Sequence, residues 1–248
     1  MIAAAQVPPE TQARCSEHPA LIAVAPCARC GRFVCEGCQR AGGFCPECLR
    51  ANFLEAPSSF KRSQSILSLL WLYRALQAGI AIASAWGLFP GGGDSTARYI
   101  MGGMCGFFSP VCFMAMGLTY WMWQFSAVRQ ILALGHELET SPWASVGYWF
   151  LPLLNLILPY ELIKRMTLAL GGPELVRESS LPGWWGLWLA SLGLFGVELF
   201  MLGLRAPYDV VYLLDIGAAV CALRSAWLCA RIIRTLQRRL DALRGGTR

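Results

Sequence analysis

Residues Ser141–Tyr160 read Ser-Pro-Trp-Ala-Ser-Val-Gly-Tyr-Trp-Phe-Leu-Pro-Leu-Leu-Asn-Leu-Ile-Leu-Pro-Tyr. The stretch is apolar enough to enter a membrane and too short to cross one. From Tyr148 to Leu158 there are only eleven residues, where a spanning helix needs about 20. Pro152 and Pro159 each remove a backbone donor and crowd the preceding turn. Asn155, between them, is placed to hydrogen-bond freed backbone groups. The segment 148–160, with Trp149, Pro152, Asn155 and Pro159 as its motif, therefore reads as broken, re-entrant or interfacial. Neighbouring helices must cover it, because lipid offers no partner for open backbone.

Four longer apolar runs flank this segment, at about 66–89, 99–124, 184–204 and 208–230. The second contains no Asp, Glu, Lys or Arg; Pro110 is expected to kink it, and Gly102 and Gly106 offer a small-x3-small packing face. Hydrophobic residues make up 56% of the 248 and charged residues 15%, which is a membrane composition. Ten Trp and seven Tyr suit interfacial anchoring. The expected fold is a mainly α four-span helix bundle with a central Pro-rich segment and a small N-terminal module.

Basic residues orient the spans. Lys61 and Arg62 precede the first. Arg129, Lys164, Arg165 and Arg177 lie between the second and third. Arg231, Arg234, Arg238, Arg239, Arg244 and Arg248 follow the fourth. The opposite loops hold only Arg98 and Arg205. Four spans with both termini in the cytoplasm satisfy this distribution; a fifth at 148–160 would not. The opening Met1–Glu10 has no basic region and no long apolar run, so no signal peptide is expected. Residues 1–13 read as a disordered tail, 51–62 as a linker and 63–248 as the membrane domain. Beyond the fourth span, Leu228, Ile232, Leu236, Leu240 and Leu243 recur at helical spacing. The Arg face opposite them either meets anionic headgroups or is an ordinary solvated helix end.

The module, 14–50, holds Cys15-x2-His18, Cys27-x2-Cys30, Cys35-x2-Cys38 and Cys45-x2-Cys48. A two-residue gap lets both side chains of a tight turn reach one ion, and four such ligands close a tetrahedral Zn²⁺ site. Eight ligands imply two structural Zn²⁺. Gly31, after Cys30, suits the turn. So short a segment cannot bury enough apolar surface to fold alone, so metal binding would supply the folding energy. A disulfide framework is the competing reading, opposed by the Cys-x2-Cys pattern and the His. The favoured pairing is cross-braced: Cys15, His18, Cys35 and Cys38 at one site, Cys27, Cys30, Cys45 and Cys48 at the other. Sequential pairing is the alternative. The formal charge of +6 falls to about +3 if seven thiolates hold two Zn²⁺, so no nucleic-acid partner is expected.

Cys15-x2-His18, the Ala-Pro-Cys-Ala-Arg-Cys-Gly core and the Phe-Cys-Pro-Glu-Cys end resemble B-box-like zinc fingers of bacterial membrane proteins, including some rhomboid relatives. A B-box usually ends in histidines, where this chain has Cys45 and Cys48. Residues of about 66–240 resemble the bacterial membrane family called domain of unknown function 4328. The resemblance rests on Arg129-Gln-Ile-Leu-Ala-Leu-Gly135, Ser141-Pro142, the Trp149-Phe-Leu-Pro152-x2-Asn155-Leu-x2-Pro159-Tyr core, Trp184-Trp185-x2-Trp188 and Gln237. Gln130 and Thr167 stand where that family often has Asn and Trp. The resemblance implies a multi-span membrane domain and no activity.

Catalysis is not expected. Rhomboid-type proteolysis needs a Gly-x-Ser-Gly nucleophile and a membrane-embedded His, and the chain has neither; His136 reads as a solvated loop residue. Arg74, Glu198 and Asp215 lie within the spans and are expected to pair, with Arg74 opposite one or both acids. A packing pair or headgroup contact is one reading of them; a polar transport path is the other. The expected role is an anchored interaction or regulatory component of the bacterial inner membrane, in contact with lipid and with a protein partner bound through the module. The alternative is a small transporter or channel component using these charges.

Overall fold

The computed structural model describes residues 13–89 and 95–245. All but the last residue of the expected N-terminal tail, and a Pro90–Asp94 turn expected between the first two spans, lie outside the described residues.

Within the module, β1 (Ala25–Pro26) pairs antiparallel with β2 (Phe33–Val34), Ala25 opposite Val34 and Pro26 opposite Phe33. Between them Gly31 takes φ +75°, and its N–H closes the turn onto the Cys27 carbonyl at 2.9 Å. Helix α1 (Pro46–Glu55) follows. Pro46 stands at its start, and the Cys45 side chain accepts from the Cys48 N–H.

Four helices are long and apolar enough to cross a membrane: α2 (Phe60–Gly87), α3 (Thr96–Ala133), α6 (Leu181–Gly203) and α7 (Tyr208–Gly245). Between α3 and α6 lie the short α4 (Pro142–Gly147) and α5 (Leu158–Glu178). The fold is thus mainly α, with four spans. α3 runs as one helix through Pro110. The main seams join α3 to α2, α2 to α7 and α7 to α6, so the spans form a row with α7 as its most buried member. No comparable seam joins α3 to α6 among the described residues, which leaves a cleft between them.

Small residues set the α2–α3 distance, and of the expected pair only Gly102 takes part. A Cβ at Gly79 would sit 2.5 Å from Cys105 Sγ, and one at Gly102 would be 3.4 Å from the Ala83 Cβ; one at Gly106 meets nothing. The close approach is at Gly79 and Gly102.

Three helices continue past their apolar stretches. α2 starts at Phe60, α3 continues to Ala133 and α7 to Gly245. With α1 and α5 they enclose a buried core that includes Phe53, Ile131, Leu138, Ile163, Met166, Ile233, Leu236 and Leu240. Leu228 and Ile232 are buried there too, whereas Leu243 is exposed. The α7 stripe is therefore a packing face.

The expected linker over 51–62 is mostly helix. α1 extends to Glu55 and α2 begins at Phe60, so only Ala56–Ser59 connects them. Phe53 is the cause: it is 1% exposed and packs in the core of the spanning domain. Burial of a Phe contributes about 1.5–3 kcal/mol, which favours a docked helix over a tether.

The central segment is broken as its prolines require. Ser141 caps α4, its Oγ accepting from Ala144 N–H at 3.1 Å. Helical turns at Tyr148–Phe150 and Leu154–Leu156 follow, separated by Leu151, Pro152 and Leu153, the last at φ +65°. The chain bends by 109° between Pro142–Phe150 and Leu154–Glu178. Pro152 lies in the break. Pro159 is buried in the first turn of α5, where a missing N–H costs nothing.

Candidate functional site

The eight expected ligands gather into two groups, Cys15, His18, Cys35 and Cys38, and Cys27, Cys30, Cys45 and Cys48. This is the cross-braced pairing; the sequential alternative is excluded. Within each group the donor atoms lie within 4.8 Å of one another. His18 Nδ1 is 3.1 Å from Cys38 Sγ, 3.7 Å from Cys35 Sγ and 4.0 Å from Cys15 Sγ. Cys30 Sγ and Cys45 Sγ are 3.9 Å apart. A tetrahedral ion bound at ~2.3 Å by thiolates separates its ligands by about 3.8 Å, so both groups fit one. All the cysteines are free thiols, so no disulfide framework forms.

The backbone prepares the sulfurs for metal. Cys45 N–H donates to Cys27 Sγ at 3.2 Å, and Cys48 N–H to Cys45 Sγ at 3.4 Å. Backbone donors from Cys30, Cys45 and Arg29 bring the Cys27 thiol down to about 6. Burial resists ionisation of Cys15, but backbone donors from Cys35, Glu17 and His18 bring it to about 6. Burial and the adjacent thiols push Cys38 up to about 11 and Cys48 up to about 12. A divalent cation at each centre would stabilise thiolate at all these positions. Four protein ligands per ion leave no open position, so the sites suit a structural role.

The second metal group is fastened to α1. Arg32 pairs with Glu47 at 2.7 Å, and Arg29 with Glu55, while also donating to Asn52 Oδ1 at 2.7 Å. From α1 the fastening passes to the spans. Arg244 of α7 donates to the Phe53 carbonyl at 3.1 Å, the Leu54 carbonyl at 3.4 Å and the Ala56 carbonyl, and its guanidinium lies 4.8 Å from the Phe53 ring. Arg244 Nε also donates to Gln130 Oε1 at 3.3 Å. Gln130 Nε2 donates to Ser59 Oγ at 2.8 Å, and Ser59 donates to Gln237 Oε1 at 2.8 Å. Trp123 Nε1 shares that acceptor at 3.1 Å, and Gln237 Nε2 donates to Asp241 at 2.8 Å. This buried network joins the α1–α2 connection to α3 and α7. Gln237 fits the family resemblance in the sequence and Gln130 departs from it; a polar amide in an apolar helix is the signal at both that a buried partner exists.

A third amide holds the central motif. Gln124 Nε2 donates to the Ser145 carbonyl at 2.8 Å, and its Oε1 accepts from Trp149 Nε1 at 3.2 Å. Trp185 Nε1 of α6 donates to the Leu156 carbonyl at 2.9 Å, so a neighbouring helix takes up one carbonyl of the break, while Leu151, Leu153, Leu154, Leu156 and Ile157 remain exposed. Asn155 does not take that part: its Oδ1 is buried without a hydrogen-bond partner.

The intramembrane charges separate differently from expectation. Glu198 and Asp215 are neighbours, and Asp215 accepts from Ser84 Oγ at 2.9 Å. Among the described residues, no ion pair joins Arg74 to either acid; its Nε is buried without a hydrogen-bond partner. Ser84 lies ten residues beyond Arg74 on α2, about 15 Å along the axis at ~1.5 Å per residue. The acids therefore sit at a different depth from Arg74. They line a cavity of about 620 Å³ in the cleft, together with Gln77, Ser109 and Arg98. Arg98 donates to Tyr212 Oη at 3.1 Å and lies over the Tyr99 ring at 4.3 Å.

Four membrane-spanning helices, a folded-back segment between the second and third, and paired Cys/His groups define a multi-span membrane protein with an N-terminal metal-binding module. Residues 94–238 match the family model described as Domain of unknown function (DUF4328), and the chain belongs to that family. The match starts after α2, whereas the resemblance in the sequence reached back to about residue 66. No curated relative and no solved structure matches the chain.

Proposed function

We propose that this is a non-catalytic, anchored interaction or regulatory component of the bacterial inner membrane, with structural Zn²⁺ in both sites and both termini in the cytoplasm. One observation supports a protein partner: the module exposes an apolar strip. Pro26 is opposite Phe33 and Ala25 opposite Val34, so Pro26 and Phe33 share one face and Val34 lies on the other, with Ile22 and Val24 exposed just before β1. Val34 is 0% exposed; Ile22, Val24 and Phe33 are 57%, 56% and 48% exposed. Bare apolar side chains on so small a module fit a protein surface. The fastening through α1 holds this face at a fixed place relative to the spans.

A photo-crosslinker at Phe33, in the full chain in its native membrane, is expected to give one discrete adduct. Ile22→Asp should abolish it without loss of metal. Adducts to lipid alone, or an unchanged adduct in Ile22→Asp, would contradict the reading. Topology is checked separately. Reporters after Ala56, His136 and Arg248 should read cytoplasmic, and reporters at Gly92 and Pro207 periplasmic; a periplasmic signal at Arg248 would reverse the α7 assignment.

The transporter reading has its own support in the cavity shared by Glu198 and Asp215. Flux in proteoliposomes lost on Glu198→Gln would favour it over the adaptor.

A further inference from the structure

The cleft continues beyond the acidic cavity toward the broken segment, where the lining changes character. A second cavity of about 260 Å³ is walled by Trp149, Trp185 and Trp188 with Tyr73, Tyr120 and Phe113, and no charged side chain faces it. The walls are built. Trp185 and Trp188 stack at 4.6 Å, and Trp149 stands edge-on to both, at 6.0 and 5.9 Å.

Two of the lining residues, Tyr120 and Asn155, carry polar atoms without partners: Tyr120 Oη and Asn155 Oδ1 are both buried without a hydrogen bond. Tyr120 is 8% exposed. Buried polar atoms ordinarily find a partner, and each one left unpaired costs about 1–3 kcal/mol. Tyr120 Oη both donates and accepts; Asn155 Oδ1 accepts only. The complementary group is an uncharged hydroxyl. Around it the walls offer faces and edges that suit a planar ring. The absence of charge excludes phosphate and carboxylate headgroups, whose burial needs a counter-charge. Met114 and Leu192, on α3 and α6, line the cavity and are exposed on the outer surface, so the way in is sideways from the lipid.

We propose that this cavity binds a neutral, membrane-dissolved lipid carrying a ring hydroxyl, of the alkylphenol or hydroquinone class, held by Tyr120 and Asn155 between the Trp rings. This site is independent of the partner face on the module, so either can fail without the other.

The test uses full-length protein in nanodiscs, with 4-nonylphenol as probe and nonylbenzene as its hydroxyl-free match. Tryptophan emission reports occupancy, because the walls are Trp. Nonylphenol should bind saturably and at least about tenfold more tightly than nonylbenzene, the scale of one or two hydrogen bonds. Tyr120→Phe should remove most of that preference. Gly117→Leu provides a variant that does not depend on the orphaned groups. Gly117 lines the cavity, and a Cβ built there meets nothing within 4 Å. Its side chain should fill the space and block both probes while the circular dichroism stays unchanged. Equal binding of the two probes would mean that a lipid chain fills the cavity and would overturn the proposal. So would undiminished binding in Gly117→Leu, or no saturable binding to the unaltered protein.

Discussion

Cys48→Ser should strip one ion from the protein and loosen the whole module, lowering metal content from two per chain to one or less. Cys48 shares its group with Cys27, Cys30 and Cys45, while the other group is Cys15, His18, Cys35 and Cys38. Along the chain the groups interleave, so each ion ties together segments that the other also ties. With sequential pairing, loss of one site would leave the other half folded; with cross-bracing it does not. The effect is large because the ions stand in for a core. The module buries mainly its own cysteines and Val34. Structural zinc contributes about 10–16 kcal/mol in isolated finger peptides at neutral pH, far more than this apolar content supplies. Elemental analysis of purified protein and of Cys30→Ser and Cys48→Ser checks the expectation. Retention of one full-affinity ion with an intact remaining half-module would refute cross-bracing.

Arg244→Ala should release α1 from the spans while leaving both metal groups intact. Arg244 serves the Phe53, Leu54 and Ala56 carbonyls at the end of α1, and Gln130 besides. These carbonyls have no helical partner of their own. Hydrogen bonds from a charged donor are worth about 1.5–3 kcal/mol each and are not additive, so a loss on the order of 3 kcal/mol is expected. Arg244→Lys should restore little of it, because one ammonium cannot reproduce the guanidinium fork. Proteolysis across Ala56–Ser59 reads the release directly: the variant should be cut, with metal content unchanged. Resistance equal to that of the unaltered protein would mean that Phe53 burial alone holds α1.

The spans were legible because twenty-odd apolar residues with few charges admit little else. The ligands were legible because four x2 pairs within one short segment have few uses. The break at Pro152 was legible from its proline and its length. What escaped was lateral. Phe53 sat in a stretch that looked like linker, and nothing local reveals that a lone Phe finds a core formed by residues far along the chain. Arg74 and the acids share the spans in the sequence, but depth along one helix does not fix depth on another. Gln124, Gln130 and Gln237 gave a signal, since an amide in an apolar helix must find a partner. Which partner depends on helix order, and the open row α3–α2–α7–α6 is not visible in any one segment. Asn155 was assigned to the broken backbone, whose Leu156 carbonyl Trp185 occupies instead.

The central claim is that metal builds the module and that α1, through Arg244, Gln130, Ser59 and Gln237, fixes it to the spans as one platform. Hydrogen–deuterium exchange of the full chain in nanodiscs, with and without a strong chelator, tests this most directly. The account predicts that chelation deprotects residues 14–45 fully, spreads through α1 to the first turn of α2, and leaves the apolar stretches of α3, α6 and α7 unchanged. Protection of residues 14–45 that survives complete removal of metal would contradict it.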